Sequence, residues 1–232
     1  MTQKTVSFCF DDGFLSSTEK TARLFETRGL RASFCIMAAP DQSADTAHIG
    51  ARFAEWPLWR DLHRRGHDIA PHGWAHERLD TLTHDAACAS IERMFARFAA
   101  ELPGFAAERA IFHTPYLSMP PPLVDWLLAR SAAVRIAQGS AGITSQAIAQ
   151  GSRQIDCITF GPDKVAAQAD ARIEDFRDAD GDWLVLVLHG VDGEGWGSLA
   201  LPELAGLVDR CCDLGFGIRP LIDILVEPSP SE

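Results

Sequence analysis

The hydrophobic pattern of this chain changes period again and again, and that alternation limits the fold more than any single residue does. Short runs that are apolar at nearly every position read as strands buried on both faces. Longer runs with apolar residues three and four apart read as helices packed on one face. Residues 5–10 form such a strand, and 15–28 the helix after it, with Ser16, Ser17 or Thr18 near its start and Gly29 as its stop. Strands follow at 31–37, 67–70, 109–112, 133–137, 154–159, 183–188 and 216–219, of which Trp-Leu-Val-Leu-Val-Leu at 183–188 is the clearest. Helices are expected at 57–65, 83–102, 121–130, 164–177 and 201–214. That at 83–102 is the most regular, with Ala87, Ile91, Met94, Phe95 and Phe98 on one stripe. Residues 40–53 are polar and irregular and read as a loop excursion, and the terminal stretch 227–232 is expected to fray.

Strand–helix units repeated about seven times call for parallel strands with helices outside. A chain of 232 residues suits one α/β barrel, here a distorted (β/α) barrel of about seven parallel strands, in a single domain over 1–232. The carboxyl ends of parallel barrel strands share one face. Asp11 and Asp12 follow the first strand, His72 and His76 the third, His113 and Tyr116 the fourth, and His189 the seventh. The residues able to carry chemistry therefore converge where such a fold places its active site.

Two adjacent acids at the mouth of a buried strand repel each other, so Asp11-Asp12-Gly13 asks for a counter-charge. In Pro-His-Gly-Trp-Ala-His, His72 and His76 stand four apart. Gly73 occupies the place where the helical zinc-protease motif carries Glu, so a loop opening into a short helix fits better. Two imidazoles and one carboxylate, with Asp12 as the third donor, make a common open metal site. A dication would stabilise one carboxylate as its ligand and lower the cost of its neighbour.

These motifs resemble those of the polysaccharide deacetylase family, the NodB homology domain. Phe-Asp-Asp-Gly at 10–13 ends the first strand. Gly66, His67, Ile69, His72 and His76 follow the second pattern, Phe-His-Thr-Pro-Tyr at 112–116 the third, and an apolar strand ending in His189 the last. The order is the family's, and residues 5–190 are spanned. The resemblance implies a divalent metal, usually zinc, on Asp12, His72 and His76. It implies Asp11 as general base, His189 as general acid and the Tyr116 backbone N–H as an oxyanion donor. The reaction implied is hydrolysis of an N-acyl amide, commonly N-acetyl on an amino sugar. Trp74, His113, Pro115 and Trp196 are expected at the substrate.

The chain departs from the pattern in two places. His113 stands where the family has the Arg that orients the base, and an Asp-x-x-Asp-Trp element well before the last His is not evident; Asp182-Trp183 reads as the start of a strand. A non-catalytic metal-binding homologue is therefore one alternative, and a two-His, one-carboxylate iron oxygenase another. His67 reads as structural, Trp56 and Trp59 as core or lid residues, His48, His63 and His84 as exposed, and Gly-Val-Asp-Gly-Glu-Gly-Trp-Gly at 190–197 as a flexible loop by the site.

A formal net charge of -11 argues against a nucleic-acid surface. No run of about 18 apolar residues suggests a membrane span. The first four residues lead straight into a strand, leaving no room for a signal peptide, and six cysteines without a C-x-x-C pair read as reduced thiols. The expectation is a cytoplasmic protein acting on a small-molecule or oligosaccharide substrate, with a homo-oligomer left open.

Overall fold

The computed structural model describes residues 3–226; the expected fraying at 227–232 lies outside them. In chain order the elements are β1 (Thr5–Asp12), α1 (Leu15–Glu26), β2 (Ser33–Ile36), α2 (Trp56–Arg64), β3 (Asp68–Pro71), α3 (His84–Glu101), β4 (Ile111–His113), α4 (Pro121–Leu128), β5 (Ala133–Arg135), β6 (Ile143–Thr144), α5 (Gln146–Ser152), β7 (Gln154–Ile155), β8 (Ile158–Thr159), α6 (Val165–Asp178), β9 (Trp183–Leu188), α7 (Leu201–Asp213), β10 (Gly217–Ile218) and α8 (Leu221–Val226).

The two apolar strands β1 and β9 lie side by side, parallel, from Thr5↔Trp183 to Phe10↔Leu188. Outward from β1 run β2 and β3, and a second parallel sheet holds β4, β5 and β7. Residues 154–159 join the two. Their first half, β7, pairs with β5, and their second half, β8, pairs with β9. Among the described residues, seven parallel strands, with 154–159 taken as one, thus surround one interior. Between β3 and β4 no ladder forms, so the barrel is distorted and not closed by hydrogen bonds. The antiparallel β6 pairs with the first residues of β9, and β10 with the first residues of β1.

Alternation along β1 sorts its side chains into two cores. Val6, Phe8 and Phe10 face the helices, where Phe25 of α1 meets Phe8 and Phe10 edge to face at 5.7 Å. Cys9 points the other way, into a barrel interior that includes Cys35, Ala133, Ile155, Cys157, Val185 and Val187 together with the large Trp183. Leu221 and Ile224 of α8 and Ala149 of α5 close that interior at the amino-terminal mouth, where Leu221 N–H donates to Ser33 Oγ. Neither α5 nor α8 is apparent from periodicity. Each is too short to show a stripe, and they are held to each other by Gln150 Nε2–H donating to Ile224 O at 2.8 Å.

Helix ends are settled partly over long range. α3 starts at its own cap, Thr83 Oγ1 accepting from Ala86 N–H. α1 has no capping side chain of its own, although Ser16, Ser17 and Thr18 stand at its start. The carboxylate of Glu194 accepts from the N–H groups of Ser16 and Ser17 and from Ser17 Oγ instead. The glycine-rich segment 190–197, expected to be flexible, is thereby tied to the helix by its one glutamate. Gly195 sits at φ +73 with no room for a side chain, since a Cβ there would run into the Phe14 ring.

Candidate metal centre

Strand alternation sends Asp11 into the barrel beside Cys9 and would send Asp12 outward with Phe10. Asp12 instead adopts φ 75, a left-handed conformation that Asp tolerates better than most residues. Gly13 follows at φ 83. The turn brings both carboxylates to the carboxyl-terminal mouth, each 3% exposed.

Each of the two expected histidines is held from behind. His72 follows β3, its N–H still paired to Ile36 O. Its Nδ1 donates to the backbone carbonyl of His113 at 2.9 Å, which leaves Nε2 as a bare lone pair. Residues 72–83 form a loop, not the short helix expected, and His76 reaches the site through φ 60. His76 Nδ1 lies 2.8 Å from Asp45 Oδ2, which also accepts from the Tyr116 hydroxyl at 2.6 Å. His72 Nε2 and His76 Nε2 each lie 3.6 Å from Asp12 Oδ1. That is too far for a hydrogen bond, and both Asp12 Oδ1 and His72 Nε2 are buried with no partner among the described residues. Donors about 2.1 Å from a shared ion in tetrahedral array stand about 3.4 Å apart. The spacing, the orphaned atoms and the backing of each imidazole by an oxygen fit a divalent cation.

The charges agree. Burial alone would raise the pKa of Asp11, but the Arg135 guanidinium outweighs it, helped by His72, and the carboxyl is held well below the usual range. Arg135 is fully buried and grips Asp11 with two parallel bonds, Nη1 to Oδ1 at 3.0 Å and Nη2 to Oδ2 at 2.6 Å. Burial likewise opposes ionisation of Asp12, and His48 and His72 reverse it. Burial disfavours an imidazolium at His72, yet the two carboxylates pull its pKa above the ordinary value, while burial and His72 together push His76 down to about 4. The two carboxylates have one guanidinium between them, so a further cation is favoured where His72 faces Asp12.

The mouth opens into a cavity of about 510 Å³ lined by Asp11, Asp12, His72, His76, Tyr116, His189 and Trp196, among others. His189 packs edge to face on Trp196 with ring centroids 4.9 Å apart. Its Nδ1 has no partner among the described residues, consistent with the absent Asp-Trp element; Asp182 instead accepts from Gln146 N–H beside the start of β9. Three expected substrate contacts stand elsewhere. His113 is fully buried under the site, Nδ1 against Cys35 Sγ at 3.1 Å, because its strand points it into the barrel. Pro115 is buried and is absent from the cavity wall. Trp74 lies in a neighbouring groove, its indole covered by Arg93 at 3.6 Å.

Sequence reasoning missed three residues. Arg135 interrupts an apolar run, and an Arg inside a buried strand must have an anion; that signal was available but not its partner. The register sets Arg135 level with His113 on the adjacent strand, so the guanidinium expected at 113 comes from one strand over. Asp45 and His48 come from the excursion 40–53. His48, expected to be exposed, is 6% exposed, with Nε2 3.3 Å from Asp12 Oδ2. His67, by contrast, is structural as expected, its Nδ1 accepting from Ala32 N–H.

A family model for polysaccharide deacetylase matches residues 1–131. Among curated proteins no sequence matches. Similar solved structures include the Xyl-CE4 domain of a multidomain xylanase from the hindgut metagenome of Trinervitermes trinervoides (13% identity, 96% of this chain and 90% of that one, TM-score 0.65). A family 4 carbohydrate esterase from Streptomyces lividans in complex with acetate is similar over 93% of this chain and 91% of that one (18% identity, TM-score 0.60). BA3943, a CE4 family pseudoenzyme from Bacillus anthracis, is similar over 96% of this chain and 66% of that one (10% identity, TM-score 0.61).

Proposed function

The chain belongs to the polysaccharide deacetylase family, and from that premise we propose that it is a metal-dependent hydrolase of an N-acyl amide on an amino sugar, oligosaccharide or other small amide. The observation that carries this reading is the pair of orphaned buried atoms, Asp12 Oδ1 and His72 Nε2, converging beside a buried Asp11–Arg135 pair.

Asp12, His72 and His76 would hold the ion, zinc in this reading, which when bound supplies a Lewis acid and brings the pKa of a bound water down towards about 7. Asp11 stays ionised at every physiological pH and accepts the proton of the attacking water. Its low pKa makes it a weak base, so its contribution rests on placement, which the Arg135 fork fixes. As the water oxygen bonds to the acyl carbon, the C–N bond breaks and His189 gives a proton to the leaving amine. Such a transfer is worth roughly a hundred- to ten-thousandfold. Trp196 packs edge to face on the His189 ring and holds its orientation. The Tyr116 backbone N–H, set at the rim by a residue with φ 55, is assigned to the acyl oxygen.

A non-catalytic homologue is the second reading, favoured by the unpartnered Nδ1 of His189. A cytoplasmic setting belongs to the proposal too, supported by six free cysteines. Among the described residues no helix is long and apolar enough to cross a membrane. The test is metal analysis of the purified protein, then release of acetate or formate from a panel of N-acyl substrates with and without chelator. Chelator-sensitive release that is lost in Asp11→Asn is expected. Release that ignores the chelator refutes the mechanism, and no release with the ion bound favours the second reading.

A further inference from the structure

Resting on the metal reading above, we infer that His48 is a fourth protein ligand of the same ion, making the centre a three-histidine, one-carboxylate site. His48 ends a short 3-10 turn, Thr46–His48, within the excursion 40–53. Its ring is buried against Phe14, at 5.8 Å and 73°, and Phe53, at 5.4 Å and 82°. These two rings are themselves stacked 5.4 Å apart, so the imidazole is held against the side of an aromatic pair. Its Nδ1 is engaged by Ser43 Oγ at 2.8 Å, which turns Nε2 inward.

The three imidazoles then share one pattern. Each has its outer nitrogen on an oxygen: His113 O for His72, Asp45 Oδ2 for His76 and Ser43 Oγ for His48. Each presents its inner nitrogen to Asp12, His72 and His76 to Oδ1 and His48 to Oδ2. The donor atoms of Asp12, His48 and His76 all lie within 4.8 Å of one another. Outer-nitrogen anchoring of this kind is what orients metal-bound histidines.

The fourth donor has a chemical consequence. Four protein ligands fill a tetrahedral shell, so a water on the ion of the proposed mechanism takes a fifth position, an expansion that zinc can make. An ion that takes five or six ligands keeps open positions beside the same four residues. Co²⁺, which also accepts imidazole, therefore serves as a spectroscopic probe of the same four-donor site.

The experiment strips the protein of metal and titrates Co²⁺, reading the visible d–d spectrum and chelator competition for wild type, His48→Ala, His48→Gln and His72→Ala. In His48→Ala, Co²⁺ affinity should fall about 100-fold or more, beyond the 10–100-fold typical of outer partners, and the spectrum should change. His48→Gln, which can still donate a hydrogen bond to Asp12, should restore neither. Restoration of both by Gln reduces His48 to a hydrogen-bond donor and overturns the inference. So does an unchanged His48→Ala in a protein whose Co²⁺ binding is lost in His72→Ala. Wild type that takes up no Co²⁺ overturns the metal reading itself, and this inference with it. Where His48→Ala does not fold, X-ray absorption on Co²⁺-loaded wild type counts imidazoles: three support the assignment and two overturn it.

Discussion

Replacing Arg135 by Met keeps the length of the side chain and removes the charge that Asp11 is built around. Both groups are buried, Arg135 at 0% and Asp11 at 3% exposure, and two short bonds join them. Breaking such a pair from one side strands a buried charge and costs about 3–5 kcal/mol. The pH dependence follows from linkage. In wild type the folded pKa of Asp11 lies below its ordinary 3.8, so the pair stabilises above pH 3.8 and is lost only as pH falls through that lowered value. In Arg135→Met, burial is opposed only by His72 and His189, and the folded pKa is expected to rise above 3.8. The penalty is then small at pH 4 and grows as pH rises through the raised value. Urea denaturation in chelator at pH 4, 6 and 8 reads this directly. The double variant Asp11→Asn, Arg135→Met should recover stability, with a coupling of at least about 2 kcal/mol at pH 8. Turnover of the single variant should fall at least about a hundredfold, since the base is both mobile and partly protonated. A loss under about 1 kcal/mol that does not vary with pH, or strict additivity in the double variant, would refute the argument.

Asp45→Asn, which weakens the anchor on His76 Nδ1, should lower metal affinity about 10–100-fold with the fold intact; chelator competition checks it. Burial, with Asp223 adding to it, pushes the Asp68 carboxyl up to about 7. Its favourable state is the protonated one, fully present below pH 3.8 and lost as pH rises through 7. Asp68→Asn should therefore raise the melting temperature at pH 8 while leaving it nearly unchanged at pH 4, and an equal effect at both would contradict this. Glu194→Ala removes the carboxylate on the first turn of α1 and should cost about 1–2 kcal/mol in denaturant unfolding.

The periodicity of the chain by itself determined the strand–helix order, and with it a parallel barrel whose strand ends share a face. Local chain direction follows from which positions are apolar, so β1, β9 and α3 are legible residue by residue. From that frame the approach of Asp12 and His72 also follows, since one ends a strand and the other directly follows its neighbour's neighbour, whereas His76 is brought in by the loop after β3. Only the tertiary structure decided what surrounds them. Arg135 reaches Asp11 across 124 positions of sequence, and its choice as partner depends on the β4–β5 register and on a barrel narrow enough for one side chain to cross. His48 and Glu194 lie in segments with no periodic signal, and each acquired its role when a loop folded back onto the first strand–helix unit. Backbone pattern is a local property of the chain, whereas the partner of a buried charge is set by distances that exist only once the barrel has formed.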